Sequence, residues 1–131
     1  MPKQSKYHNK PVVVDGVRFD GKMEFQRYCF LKMMEQAGEI SNLRYHVNYD
    51  LIPKGAVSII RMPDGREVII ETYDRKRFYE ADFVYVNKSG EEIVEDFKGF
   101  ETESFKWKRK LFNAIYHKDI KIVKLTNAAV N

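Results

Sequence analysis

The residues best suited to chemistry fall in one stretch, Glu80–Phe100, reading EADFVYVNKSGEEIVEDFKGF. Two β-prone runs, Phe78–Val86 and Glu91–Lys98, flank Asn87-Lys88-Ser89-Gly90, which has the residues of a type I turn closed by a left-handed glycine. That turn pairs Asn87 with Glu91 and, followed along the ladder, sets Asp82 opposite Asp96. Strand alternation places Val94, Asp96 and Lys98 on one face, Glu95 and Phe97 on the other, and Asp82 beside Val84 and Val86. A two-residue loop would slip the register by one and bring Glu95 to Asp82, so Glu95 is the rival of Asp96. Two carboxylates directly opposed repel each other. A divalent cation offsets that, and Mg²⁺ takes a few carboxylate oxygens plus waters and substrate phosphate, with no need of cysteine or histidine. Lys98 then stands where it could hold an attacking water or stabilise charge growing on a phosphorus centre. The plain alternative is a surface ion cluster, against which the valines on the same face argue for burial under a helix.

The elements that must position these residues are legible in outline. VVVDGVRF (Val12–Phe19) is a hairpin signal around an Asp-Gly turn. Asp20 is placed to cap a helix over Gly21–Ala37, with Gly38 as its left-handed stop. Met23, Phe30, Leu31, Met34 and Ala37 fall on one side of that helix and form its inward face. Leu43–Ile52 alternates Leu43, Tyr45, Val47, Tyr49 and Leu51 on one side, as a half-buried strand does. VSIIR and EVIIE around Met62–Gly65 give a second hairpin. A helix over Glu103–His117 follows, capped by Thr102 with Phe105, Phe112 and Ile115 inward, and Ile120–Leu125 reads as a strand. This is an α/β chain: a mixed, mostly antiparallel sheet with a helix on each face, ending in a crossover to a parallel strand.

The 131 residues suit one domain, assigned here to 12–131, after a polar, basic and mobile tail over 1–11. Hydrophobic residues make up 44% and charged residues 32%, the balance of a globular chain. A single cysteine, Cys29, excludes an internal disulfide and a multi-cysteine zinc site; with no histidine base placed for it, it reads as a packing residue. No apolar run spans a bilayer and no signal peptide is evident, so a cytoplasmic protein with no membrane partner is expected. The net charge of +4 is modest but uneven. Residues 98–124 hold eight lysines and arginines against three acids, whereas acids gather between Glu80 and Asp96. A basic surface beside an acidic focus suits an enzyme that grips a polyanion and neutralises the reacting phosphate.

Asp82, Asp96-Phe97-Lys98 and Glu24 within FDGKMEFQRY resemble the motif of the PD-(D/E)XK nuclease superfamily: an acid on one strand, acid–any–lysine on the next, and an acid on the first helix. FDGKMEFQRY, GEISNLRYHVNYDL, YEADFVY, VEDFKG and KWKRKLF, in this order, are similar to a small prophage-associated nuclease family whose motif layout is like that of archaeal Holliday junction resolvases. The first acid follows Ala81 where the superfamily's motif has proline, and the second is aspartate where glutamate is commoner. The resemblance implies a restriction-endonuclease-like αβββαβ core and a metal-dependent DNA endonuclease of phage replication or recombination, selective for branched DNA. It implies Mg²⁺, replaceable by Mn²⁺, held by Asp82, Asp96, the Phe97 carbonyl and Glu24, with Lys98 catalytic, and a homodimer.

DNA contacts are expected from Arg27, one turn after Glu24, from Arg75, Lys76 and Arg77 ahead of the Asp82 strand, and from Lys106, Arg109 and Lys110 at helical spacing. Trp107 and Tyr116 are either core or stacking groups for an unpaired base. The rival readings are a non-catalytic nucleic-acid-binding recombination accessory protein and an RNase on the same scaffold.

Overall fold

A computed structural model describes residues 10–98 and 100–124. Residues 1–9 of the expected tail, and Leu125 of the last expected strand, lie outside the described residues. The chain opens with a hairpin, β1 (Val12–Val14) and β2 (Val17–Phe19), turned by Asp15 and Gly16 at φ 52° and 78°. Two successive positive φ values are what a two-residue turn of the right twist requires, and Asp-Gly supplies them.

Helix α1 (Lys22–Gln36) begins at Gly21, not at a side-chain cap from Asp20 as expected. Glu24, at the third helical position, reaches back instead and accepts the N–H of Asp20, the residue before the cap, at 3.0 Å. The buried positions of α1 are Glu24, Arg27 and Leu31, flanked by half-buried Phe25, Tyr28, Phe30 and Met34. Two of the three deepest residues are therefore charged, which no apolar stripe foretold. Cys29 is exposed on this helix, contrary to its reading as a packing residue.

Strands β3 (Ile40–Ile52), β6 (Arg77–Asn87), β7 (Glu92–Lys98) and β8 (Ile120–Lys124) form one sheet in that order. The first two pairings are antiparallel and β7–β8 is parallel, with α2 (Glu103–Tyr116) between them in sequence. Thr102 caps α2 by accepting the Phe105 N–H at 3.1 Å, and His117 ends it at φ 57°. Ile115, expected inward, is exposed. The core order is thus αβββαβ, with the hairpin β4 (Val57–Arg61) and β5 (Glu67–Thr72) inserted as a separate two-stranded sheet. That hairpin leaves Ile59, Ile60, Val68, Ile69 and Ile70 exposed. Among the described residues no helix is long and apolar enough to cross a membrane.

Two core clusters form, one around each helix. Phe19, Leu31, Ile40, Phe83 and Tyr85 pack with α1, whereas Leu51, Tyr79, Ala81, Val84, Val94 and Ile120 pack with Phe105 and Phe112 of α2. The expected single face for Leu43–Leu51 is not observed. Leu43 and Tyr45 join the α1 side, with Tyr45 5.8 Å from the Tyr28 ring, while Val47 and Tyr49 join the α2 side. β6 does the same, since Ala81 serves α2 and Phe83 serves α1. Residues of one parity change sides only if the alternation is broken, and His46 at φ 52° breaks it. The paired residues Tyr45–Phe83 and Val47–Ala81 bracket His46 and Asp82, so both strands turn over together at that point.

Candidate acidic site at the open end of the β6–β7 ladder

The β6–β7 register is the one the Asn87–Gly90 turn predicts: Phe83 pairs Glu95, Val84 pairs Val94, and Val86 pairs Glu92. The turn is closed by Gly90 at φ 85°, by the Asn87 N–H donating to Glu91 O at 2.9 Å, and by Asn87 Oδ1 accepting from Ser89 and Glu91. Past Phe83 and Glu95 the ladder opens. There the Phe97 N–H donates to Asp82 Oδ2 at 2.7 Å, so a side chain takes the place of a strand neighbour. Phe97, expected to lend its carbonyl to a metal, thus contributes its amide to orienting the first acid.

Asp96, the next residue after Glu95, is 1% exposed, and its carboxylate acts on that of Asp82. Lys98 Nζ stands 3.0 Å from Asp96 Oδ2 and 4.5 Å from the centroid of the Phe105 ring. The contact with Asp96 is ionic without hydrogen-bond alignment, so that buried oxygen accepts no hydrogen bond. The Tyr79 hydroxyl is likewise buried without a hydrogen-bond partner, and its proton is held more tightly by burial and by the charges of Asp96 and Asp82. Burial, and then Asp96, raise the Asp82 carboxyl well above the usual aspartate range, with Glu24 adding to the effect. Glu24 is 4% exposed, rests on the Asp20 amide, and meets His46 Nε2 at 3.4 Å. Burial raises its carboxyl too.

This arrangement brings Asp82, Asp96 and Lys98 together, with Glu24 close enough to act on Asp82 electrostatically. No three His, Cys, Asp or Glu side chains converge as a metal-holding group among the described residues. The donor set nonetheless suits a hard dication. Two nearly opposed carboxylates disfavour each other's charge, and one has a buried oxygen with no donor. Mg²⁺ keeps several waters and needs only one or two protein carboxylates.

Glu95, the rival acid, points the other way. Arg27 Nε donates to Glu95 Oε2 at 2.8 Å, a second Arg27 nitrogen donates to Oε1 at 2.7 Å, and the Tyr85 hydroxyl donates to Oε1 at 2.7 Å. Both charges are fully buried. Burial works to lower the Arg27 pKa, but the hydrogen bonds and charge of Glu95 outweigh it and raise it. Arg27 is therefore corrected from a DNA contact to half of an internal ion pair.

The other expected DNA contacts differ in how committed they are. Arg75 and Lys76 are exposed, with Lys76 3.9 Å from Asp50, and Arg77 lies over the Tyr73 ring. Lys106 pairs with Glu103, and Lys110 is exposed. Arg109 is bound by Asp119 at 2.9 Å and 3.0 Å, and by Glu101 at 3.5 Å, so its role is to tie α2 to the sheet. Lys106, Trp107 and Lys110 share the lining of a cleft of about 520 Å³. Tyr116 packs on the α2 cluster and donates to the Asp50 carbonyl at 2.7 Å, which makes it structural. Sequence reasoning missed His46 and Tyr79. The alternating pattern of each strand hides them, because their roles come from the break in that alternation.

The family described as a protein of unknown function, DUF1064, matches residues 4–129. This chain belongs to DUF1064. No curated protein and no solved structure matches it.

Proposed function

We propose that this DUF1064 chain is a divalent-metal-dependent DNA endonuclease with a restriction-endonuclease-like core. The observation that carries the reading is the meeting of two inward aspartates and a lysine where the β6–β7 ladder opens, Lys98 being 3.0 Å from buried Asp96. The core order αβββαβ, with an acid-bearing first helix and the last strand parallel to the acid–any–lysine strand, supports the fold assignment.

Asp82 and Asp96 would hold the ion, and Glu24 borders the pocket from α1. A bound Mg²⁺ supplies charge neutralisation at the phosphate and a more acidic water. The Phe97 amide holds the Asp82 carboxylate in orientation. Lys98, itself held against Asp96 and the Phe105 ring, orients the attacking water and stabilises negative charge growing on the phosphoryl oxygens. The water oxygen bonds to phosphorus and gives up a proton to solvent as the opposite P–O bond breaks, its electron pair leaving on the sugar oxygen, which takes a proton from solvent. Cutting both strands of a branched substrate symmetrically would take two such chains, which is the basis for proposing a homodimer. Phage DNA recombination in the cytoplasm fits this activity.

The test is incubation with branched, duplex and single-stranded DNA and RNA in Mg²⁺ or Mn²⁺. Asp82→Asn, Asp96→Asn and Lys98→Ala are each expected to lose DNA cleavage while retaining binding. A parent protein that binds but cuts none of these substrates would favour the accessory reading; cleavage confined to RNA would favour the RNase.

A further inference from the structure

Next to Lys98 lies a cavity of about 240 Å³ between the start of β6 and the start of α2. Phe78, Thr102, Ser104, Phe105 and Lys108 line it together with Lys98 and Tyr79. Three independent features converge there. Phe78 is 38% exposed, and the ammonium groups of Lys76 and Lys108 each stand 5.8 Å from the centroid of its ring. α2 presents its N-terminal turn, where Thr102 takes the Phe105 N–H, the amides of Glu103 and Ser104 ahead of it have no intrahelical acceptor, and the helix dipole favours an anion. Tyr79, only 3% exposed, contributes to the lining of the same cavity, and its hydroxyl is buried beside Asp96 without a hydrogen-bond partner.

We propose that this cavity is a nucleotide subsite that takes an unstacked base of a DNA strand on Phe78, with the adjoining phosphate at the α2 N-terminus beside Lys108. The proposal deepens the nuclease reading and rests on it, since the cavity shares Lys98 with the acidic site. An aromatic ring can stack only on a base whose face is uncovered, so a base inside a continuous duplex is excluded. The substrate class is DNA with an unpaired nucleotide beside the cut: a flap, a fork or a branch point. Two lysines around one aromatic ring match a base flanked by two phosphates. Exposed Glu80 at the rim can accept from a base amino group.

The experiment uses the whole chain without divalent ions, so cleavage does not enter the readout. The probe is a flapped oligonucleotide with 2-aminopurine at the first unpaired position, compared with a blunt duplex of the same sequence. The parent is expected to change the 2-aminopurine emission and to bind the flapped form more tightly. Phe78→Ala should abolish the emission change and weaken flap binding at least about 5-fold, the lower end for one lost base stack. Its effect on the blunt duplex should be far smaller. Phe78→Trp should preserve both readouts, and Lys108→Ala should lower the salt slope of binding by about one phosphate contact. Flap and duplex affinities that fall equally in Phe78→Ala, or no emission change in the parent, would overturn the subsite even if the parent cuts DNA. If the subsite signals persist in a protein that never cuts, the binding proposal stands and the nuclease reading fails.

Discussion

Two clusters of buried charge sit on opposite faces of the β6–β7 hairpin, one residue apart in sequence. On the α1 side, Glu95 is saturated by two Arg27 nitrogens and the Tyr85 hydroxyl. On the α2 side, Asp96 has an ionic contact to Lys98, an oxygen with no hydrogen bond, and a repelling Asp82 carboxyl beside it. The first cluster is closed, since each charge has a partner of opposite sign in good geometry. The second is left open, and it holds surplus negative charge beside a lysine that is only partly buried. Closed clusters hold structure together, whereas an open one keeps unfavourable interactions that a ligand can relieve. The contrast assigns neighbouring acids to different roles without recourse to their identity.

The largest effect should come from breaking the closed cluster. Glu95→Ala removes the carboxylate that neutralises a fully buried guanidinium, and is expected to destabilise the fold by about 3–5 kcal/mol in chemical denaturation. Replacing both partners, Arg27→Met with Glu95→Leu, should recover most of that. A mild Glu95→Ala and a severe double variant would reverse the roles assigned to the pair.

The open cluster should respond in the opposite sense. Asp96→Asn is expected to retain or raise the melting temperature while reducing DNA cleavage by about 10²–10³-fold, the scale of one lost electrostatic stabiliser. Equal cleavage by Asp96→Asn and the parent, measured under single-turnover conditions, would remove Asp96 from the site.

Ion binding sharpens the comparison further. Mg²⁺ at a hundred times its Kd should stabilise the parent by about 2.7 kcal/mol. That gain should vanish in Asp82→Asn and Asp96→Asn. It should persist in the Arg27→Met, Glu95→Leu double variant. A gain that survives both aspartate substitutions would place the ion elsewhere.

The smallest effect is on pH dependence without divalent ions. The raised Asp82 carboxyl means that the folded chain holds this proton more tightly than the unfolded chain does. The resulting stability is fully present below the ordinary aspartate pKa and is lost as pH rises through the raised value. Asp82→Asn should flatten this part of the Tm–pH curve, and an unaltered slope would trace it to another group.

Much of the hairpin was readable because its determinants are local. Asn87 and Gly90 impose one turn geometry, and that geometry sets the partner of every residue up to Phe83 and Glu95. The helix caps were readable to different degrees. Thr102 supplies its own side chain to α2, whereas α1 starts at glycine and is supported by Glu24 acting backwards. Arg27 was misread because a lone arginine on a helix with aromatic neighbours looks exposed. Its partner, Glu95, is 68 positions away in the chain and nothing local announces it.

From the sequence alone come the order of helices and strands, the β6–β7 register up to Phe83 and Glu95, and the acid–any–lysine spacing, all set by short-range backbone chemistry. Tertiary structure alone decided which acid is neutralised, that β3 and β6 turn over at His46 and Asp82, and that Tyr79 and Phe78 flank Lys98. Those outcomes depend on which helix covers which face, and that is settled by long-range packing that no local pattern encodes.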